Sequence, residues 1–231
     1  MTTEAGTEAS MVASGELIAD RIVVRRGGRA VVDEVSLEVE PYRLLAVSGP
    51  SGAGKTTLLS VLAGVLPADG GTLSFAGSPV RAGDHVHLAR VGFIPQTYGL
   101  VAVLTAAENI EVALRVRGLG GEEARERAVE ALERVGLGQL ADRLVGQLSG
   151  GQRQRAAVAR GLGVRPELLI ADEPTAELDG DNRDLVLSAL LQEAGRGAAV
   201  VVATHDPDVA ERADEVLELH DGRVTAGGAD A

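Results

Sequence analysis

The 231-residue chain contains no cysteine and no tryptophan, and aromatic residues make up only 2% of it. Without cysteine there are no disulfides, no thiolate catalysis and no Cys-ligated zinc or iron–sulfur sites, so stability needs no oxidising compartment. The aromatics are Tyr42, Phe75, Phe93 and Tyr98, too few for a nucleic-acid reader built on base stacking. A formal charge of −12 further disfavours phosphate backbones and anionic lipid surfaces, and no nucleic-acid partner is expected. Long apolar runs are also missing. Ala198 to Ala203 and Leu168 to Ala171 fall far short of the roughly 18–20 residues of a membrane-spanning helix. The opening MTTEAGTEAS has neither a basic region nor an apolar stretch behind it and does not read as a secretory signal.

What is present is a 45% hydrophobic chain whose core must be built from Val, Leu, Ile and Ala, enough for one α/β domain of ordinary size. Residues 1–15 and 227–231 read as flexible ends, leaving a single domain over 16–226. LIADRIVVRR and RAVVDEVSLEVE read as strands. The second alternates Val35, Leu37 and Val39 with Ser36, Glu38 and Glu40, as a half-buried antiparallel strand does. LLAVS (44–48) is a short apolar strand, and KTTLLSVLAGVL after it places Leu58, Leu59, Leu62 and Val65 at helical spacing. From about 97 to 161 the pattern turns helical, with Ala124, Ala128, Ala131, Leu132 and Val135 on one face, and predicts an inserted helical subdomain. LLIAD (168–172), AAVVVAT (198–204) and EVLEL (215–219) resume as strands, with a helix from about 181 to 194 between the first two. This alternation predicts a largely parallel central sheet.

Between strand 44–48 and its helix lies GPSGAGKT, residues 49–56, which fits the phosphate-loop pattern G-x-x-x-x-G-K-[ST] in the context its mechanism requires. The nucleotide-binding residues expected here are Gly49, Pro50, Ser51, Gly52, Ala53, Gly54, Lys55, Thr56 and Thr57. The glycines let backbone N–H groups curl around phosphate oxygens, Lys55 supplies a full charge, and the Thr56 hydroxyl can ligate Mg²⁺. Lys55 is the only lysine in the chain. A compact ammonium is kept at the one position where a point charge must reach the β- and γ-phosphates, while arginine serves everywhere else.

The strand LLIAD ends in Asp172 and Glu173, at the edge where parallel sheets bind ligands. Asp172 would approach Mg²⁺, and Glu173 would polarise the attacking water. A second glycine device follows the helical stretch: Ser149 can cap the helix opened by Leu148, Ser149, Gly150, Gly151 and Gln152, and two glycines allow another group to come close. With LSGGQ between a phosphate loop and an acid-ended strand, the chain resembles the ATP-binding subunits of ABC transporters from about Leu17 to Val224. The resemblance implies a P-loop NTPase fold and ATP hydrolysis with ATP and Mg²⁺. Gln96 would serve as a catalytic loop glutamine touching Mg²⁺, Leu178 and Asp179 as the loop crossing a dimer interface, and His205 as the switch histidine orienting Glu173. It further implies a head-to-tail dimer in which residues 148–152 act in trans on the γ-phosphate. By the same resemblance, the second ATPase subunit would be an identical copy or a paralogue. The resemblance also implies that the pair would drive a separate integral membrane permease, with the chain in the cytoplasm, peripheral on the inner face of the cell membrane.

One departure stands out. The family's aromatic ahead of the phosphate loop falls on Arg26, and no aromatic precedes Tyr42, which a strand rise of about 3.3 Å per residue leaves roughly 20 Å from the loop. The Arg26 guanidinium is expected to cover the base face instead. Tyr42 occupies a position where many relatives have glycine. Gln96 through Leu104, Thr105, Glu108, Asn109 and Ile110 resembles the macrolide-export and lipoprotein-releasing branch, and also the division-associated subunits that gate cell-wall hydrolases. Exporter ATPase is the leading reading, with a regulatory or mechanotransmitting ABC ATPase that moves no substrate as the alternative. An ordinary P-loop kinase would leave LSGGQ unexplained. Thr105 and Glu108 read in addition as a helix cap and its capping-box partner.

Overall fold

The structure is a computed structural model describing residues 15–225; most of the two ends expected to be flexible lie outside the described residues. β1 (Leu17–Arg26) and β2 (Arg29–Val39) form an antiparallel hairpin. Its two-residue turn is Gly27 and Gly28 at φ 55° and 81°, the left-handed pair that a tight hairpin demands and glycine supplies without a Cβ clash. β2 buries Val35, Leu37 and Val39 and exposes Ser36, Glu38 and Glu40, the alternation read from the sequence. β4 (Gly70–Phe75) and β5 (Ser78–Pro79) complete a four-stranded antiparallel sheet in the order β2-β1-β4-β5.

The second sheet runs β10-β9-β3-β8-β7-β6, with β3 (Leu44–Ser48), β6 (Val91–Ile94), β7 (Leu168–Asp172), β8 (Ala199–Ala203) and β9 (Glu215–His220) all parallel. β10 (Arg223–Val224) closes one edge antiparallel. Because β8 lies between β3 and β7, the chain leaving β8 emerges between the phosphate loop and the two acids. β3, β7 and β8 are all but completely buried on both faces, as a sheet covered on each side requires. Along β7 the alternation divides the core in two. Leu168 and Ile170 join Phe75, Leu17 and α1 (Lys55–Leu62) on one face, and Leu169 and Ala171 join the helices on the other.

Between β6 and β7 the chain forms α3 (Ala106–Val116), α4 (Gly121–Arg134) and α5 (Gly150–Gly163). α4 buries Ala124, Ala128, Ala131 and Leu132 as its spacing predicts. α2 (His85–Arg90) precedes β6, α6 (Gly180–Gly195) joins β7 to β8, and α7 (Pro207–Glu211) precedes β9. α1 is shorter than its apolar spacing suggests. Gly64 at φ 71° breaks it, leaving Val65 exposed, and a Cβ on Gly64 would lie 2.7 Å from His87 Cδ2. Thr105 and Glu108 form the expected capping box on α3.

Candidate nucleotide site

The loop from β3 to α1 is held in shape by close backbone contact. Gly49 at φ 146° and Gly54 at φ 104° would place a Cβ only 2.1 Å from the Leu219 carbonyl oxygen and 2.4 Å from that of Val31. Both positions thus require glycine on two counts, conformation and space. Lys55 Nζ turns back into this loop and donates to the carbonyl oxygens of Gly49 at 2.6 Å and Pro50 at 3.2 Å. Ser51, Gly52, Ala53, Gly54, Lys55, Thr56 and Thr57 line a cavity of about 320 Å³ together with Val31, Gln96, Asp172 and Glu173. Sequence positions 51–57, 96 and 172–173 therefore converge on one place, while Gly49 and Pro50 touch it only through Lys55.

Two carboxylates from β7 face this cavity in different settings. Asp172 is 1% exposed and its Oδ2 has no hydrogen-bond partner. Burial pushes its carboxyl above the usual range, the nearby Glu173 adds to the rise, and the Thr56 hydroxyl and the Lys55 ammonium oppose it. An orphaned buried carboxylate oxygen beside a threonine hydroxyl and the amide of Gln96 is a hard-oxygen donor set suited to Mg²⁺. Among the described residues no cluster of three His, Cys, Asp or Glu could hold a metal.

Glu173 sits at φ 51°, the left-handed region, held there by its N–H on the Ala203 carbonyl at 2.9 Å and by Gln154 Nε2 on its own carbonyl at 3.1 Å. Its Oε1 is 3.9 Å from Lys55 Nζ, and its Oε2 is 2.9 Å from His205 Nδ1. The latter contact lacks hydrogen-bond alignment, so Oε2 is left without a partner. His205 is itself 70% exposed. Gln154, on α5, carries no sequence signal for this role because its partner, Glu173, lies just past β7.

Leu148, Ser149, Gly150, Gly151 and Gln152 lie apart from the cavity lining. Ser149 caps α5 as expected, but Gln152 completes the box: its Oε1 accepts from Ser149 N–H at 3.0 Å. Beside them Glu177 accepts from the Tyr98 hydroxyl, and a Cβ on Gly150 would lie 2.8 Å from its Oε2. Asp179 caps α6, accepting from Asn182 N–H at 3.0 Å, and Leu178 is buried. Arg26 stands exposed at the hairpin tip opposite Arg29, outside the cavity lining. Val31 of the same hairpin does reach the lining.

With this geometry in place, residues 32–176 match the family model described as ABC transporter. The chain belongs to the ABC transporter family. It is an ATP-binding ABC ATPase domain, similar at 42% identity to an uncharacterized ABC transporter ATP-binding protein of Mycobacterium tuberculosis, over 91% of this chain and 66% of that protein. It is 38% identical to the macrolide export ATP-binding/permease protein MacB of Salmonella typhimurium, over 84% of this chain and 31% of that one. The lipoprotein-releasing system ATP-binding protein LolD 1 of Rhodospirillum rubrum is 40% identical over 86% of this chain and 92% of its own length. The ABC chain thus spans just under two thirds of its mycobacterial relative and nearly all of LolD 1. Relatives of the macrolide-export and lipoprotein-release branches are those suggested by residues 96–110. Among solved structures, the dimeric ATP-binding cassette MJ0796 in a post-hydrolysis state with ADP and Pi matches with a TM-score of 0.83 at 31% identity, over 90% of this chain and 96% of that one.

Proposed function

We propose that this ABC ATPase powers an exporter-type transporter as one of two subunits that close head to tail on ATP and move a separate integral membrane permease from the cytoplasmic side. The observation that carries the reading is the Glu173 carboxylate. It is held at the cavity edge between the only lysine and His205, on the strand end where an attacking water would meet a γ-phosphate. Lys55 and the loop amides grip the phosphates, and Glu173 takes the proton from water. His205 and Gln96 orient Glu173 and the water, and Ser149, Gly150 and Gly151 close the nucleotide from the partner subunit, with the Asp179 loop at the interface between them. Thr56, Asp172 and Gln96 would hold Mg²⁺, which when bound offsets the charge of the phosphate oxygens.

The permease reading is supported by a groove of about 350 Å³ between β6 and α3, lined in part by Val101, Leu104, Val112 and Arg117. Val101, Val103, Val112 and Val116 are exposed around it, and no helix among the described residues is long and apolar enough to cross a membrane. In the full chain, Glu173→Gln is expected to cut ATP turnover by about 10²–10⁴-fold while retaining ATP binding and giving a dimer by light scattering with Mg-ATP. Lys55→Ala loses nucleotide binding. ATP turnover surviving in folded Lys55→Ala rules the reading out.

A further inference from the structure

The loops after β7 and β8, next to Glu173 and His205, are tied together at a side chain with no place in the chemistry above. We infer that Asp206 is a positioning residue for hydrolysis, fixing His205 against Glu173 by tying the loop after β8 to the loop after β7 and to α6. This inference rests on the roles given above to Glu173 and His205. Asp206 Oδ2 accepts from the Thr175 hydroxyl at 3.3 Å and lies 3.2 Å from Arg183 Nε. Thr175, two residues beyond Glu173, is 2% exposed, and Arg183 lies in the first turns of α6, just after the Asp179 cap. The Asp206 side chain is 11% exposed, deep enough for such contacts to be little screened.

The backbone of the same residue is anchored on the other side. Asp206 N–H donates to Thr204 Oγ1 at 2.9 Å, and fully buried Thr204 donates its own N–H to the Val47 carbonyl at 3.1 Å. His205 therefore stands between two fixed residues while its own ring is mostly in water. Its 2.9 Å approach to Glu173 Oε2 is set by these neighbours rather than by packing of the imidazole. A plain capping role accounts for only half of the carboxylate, since Asp206 Oδ1 alone accepts from Asp208 N–H at 3.1 Å and caps α7. The Oδ2 contacts reach across the fold to the loop after β7 and to α6, where Arg183 also lies 3.5 Å from Asp208 of α7; the Thr175 contact is the one that owes nothing to that helix.

The two halves separate by substitution. Asp206→Asn keeps an acceptor for the cap but loses the charge facing Arg183 and one acceptor. In the full chain it is expected to lower kcat for ATP by about ten- to a hundredfold, the scale of a misplacement near 1 Å, with KM within twofold and a melting temperature lowered by only a few degrees, so that the protein is fully folded in the assay. Thr175→Ser keeps wild-type kcat, whereas Thr175→Val repeats the loss. Wild-type kcat in Asp206→Asn, or kcat falling only in step with melting temperature, overturns the inference. Lys55→Ala and Glu173→Gln, run alongside, separate the two failures. Turnover in Lys55→Ala overturns the nucleotide reading itself, and loss in both beside a normal Asp206→Asn overturns the positioning role alone.

Discussion

Arg26 and Arg29 face each other across the hairpin tip, an arrangement that costs stability when nothing anionic or aromatic comes between the two charges. Val31, two residues beyond Arg29 at an irregularity in the β1–β2 register, lines the phosphate cavity, so the hairpin tip lies next to it along the chain. A guanidinium at Arg26 laid over a purine is worth about 1 kcal/mol. Arg26→Ala should therefore weaken ATP and GTP binding about fivefold, measured by titration of a fluorescent nucleotide. Unchanged affinity and unchanged base preference would remove Arg26 from the site. Tyr42 has a simpler explanation. It holds φ 67°, a conformation glycine adopts more readily, and its ring rests against Gly197.

At the scale of elements, Asp214 fastens the start of β9 to β3. Its N–H donates to the Leu44 carbonyl at 2.9 Å, Leu44 N–H donates to its Oδ2 at 2.8 Å, and Arg43 reaches Oδ1 at 2.8 Å. The Leu44 amide holds the Asp214 carboxyl below the usual carboxylate range, partial burial pulls the other way, and Arg43 assists. With the folded value depressed, this stabilisation is complete above the unfolded value and is lost as pH falls through the folded one. Asp214→Asn should cost about 1 kcal/mol at pH 7, the charged hydrogen-bond range discounted for solvent screening. Thermal melts down the pH scale should show the gap narrowing below about pH 4, and an equal gap at both ends would refute the pairing. Elements of this kind were legible where their signals were local. The alternation of β2, the apolar runs of β3, β7 and β8, and the Thr105 and Ser149 caps each lie within a few residues. The end of α1 was not, because it is decided by His87 packing on Gly64, and neither was the β4–β5–α2 segment, whose place is set by pairing with β1.

Over the whole molecule, a buried ion pair joins the helices of the 106–163 stretch to the central sheet's own cover. Arg134 on α4 lies 2.8 Å from Glu193 on α6, with both side chains largely buried and Arg196 3.4 Å away on the same carboxylate. Without Arg134, the buried Glu193 carboxylate keeps only the longer contact to the half-exposed Arg196. Arg134→Met should therefore destabilise the chain by about 3 kcal/mol in urea titration, while the Arg134→Met/Glu193→Leu double variant recovers most of the loss. A single variant as stable as wild type would show the pair to be idle. The candidate site divides in the same way between local and distant information. The phosphate loop, Asp172, Glu173 and the 148–152 run announce themselves as short motifs. Gln154 on Glu173, Tyr98 on Glu177 and Arg183 on Asp206 are contacts between segments that only the fold brings together, and no spacing rule reports them.

The left-handed backbone of Glu173 has one more implication. Its side chain is suspended over the cavity from a torsion that glycine adopts freely and glutamate resists. Selection for heat resistance alone would favour replacing it, whereas selection for turnover would keep it. In this small spot the two demands are set against each other, and the residue found there records which of them prevailed.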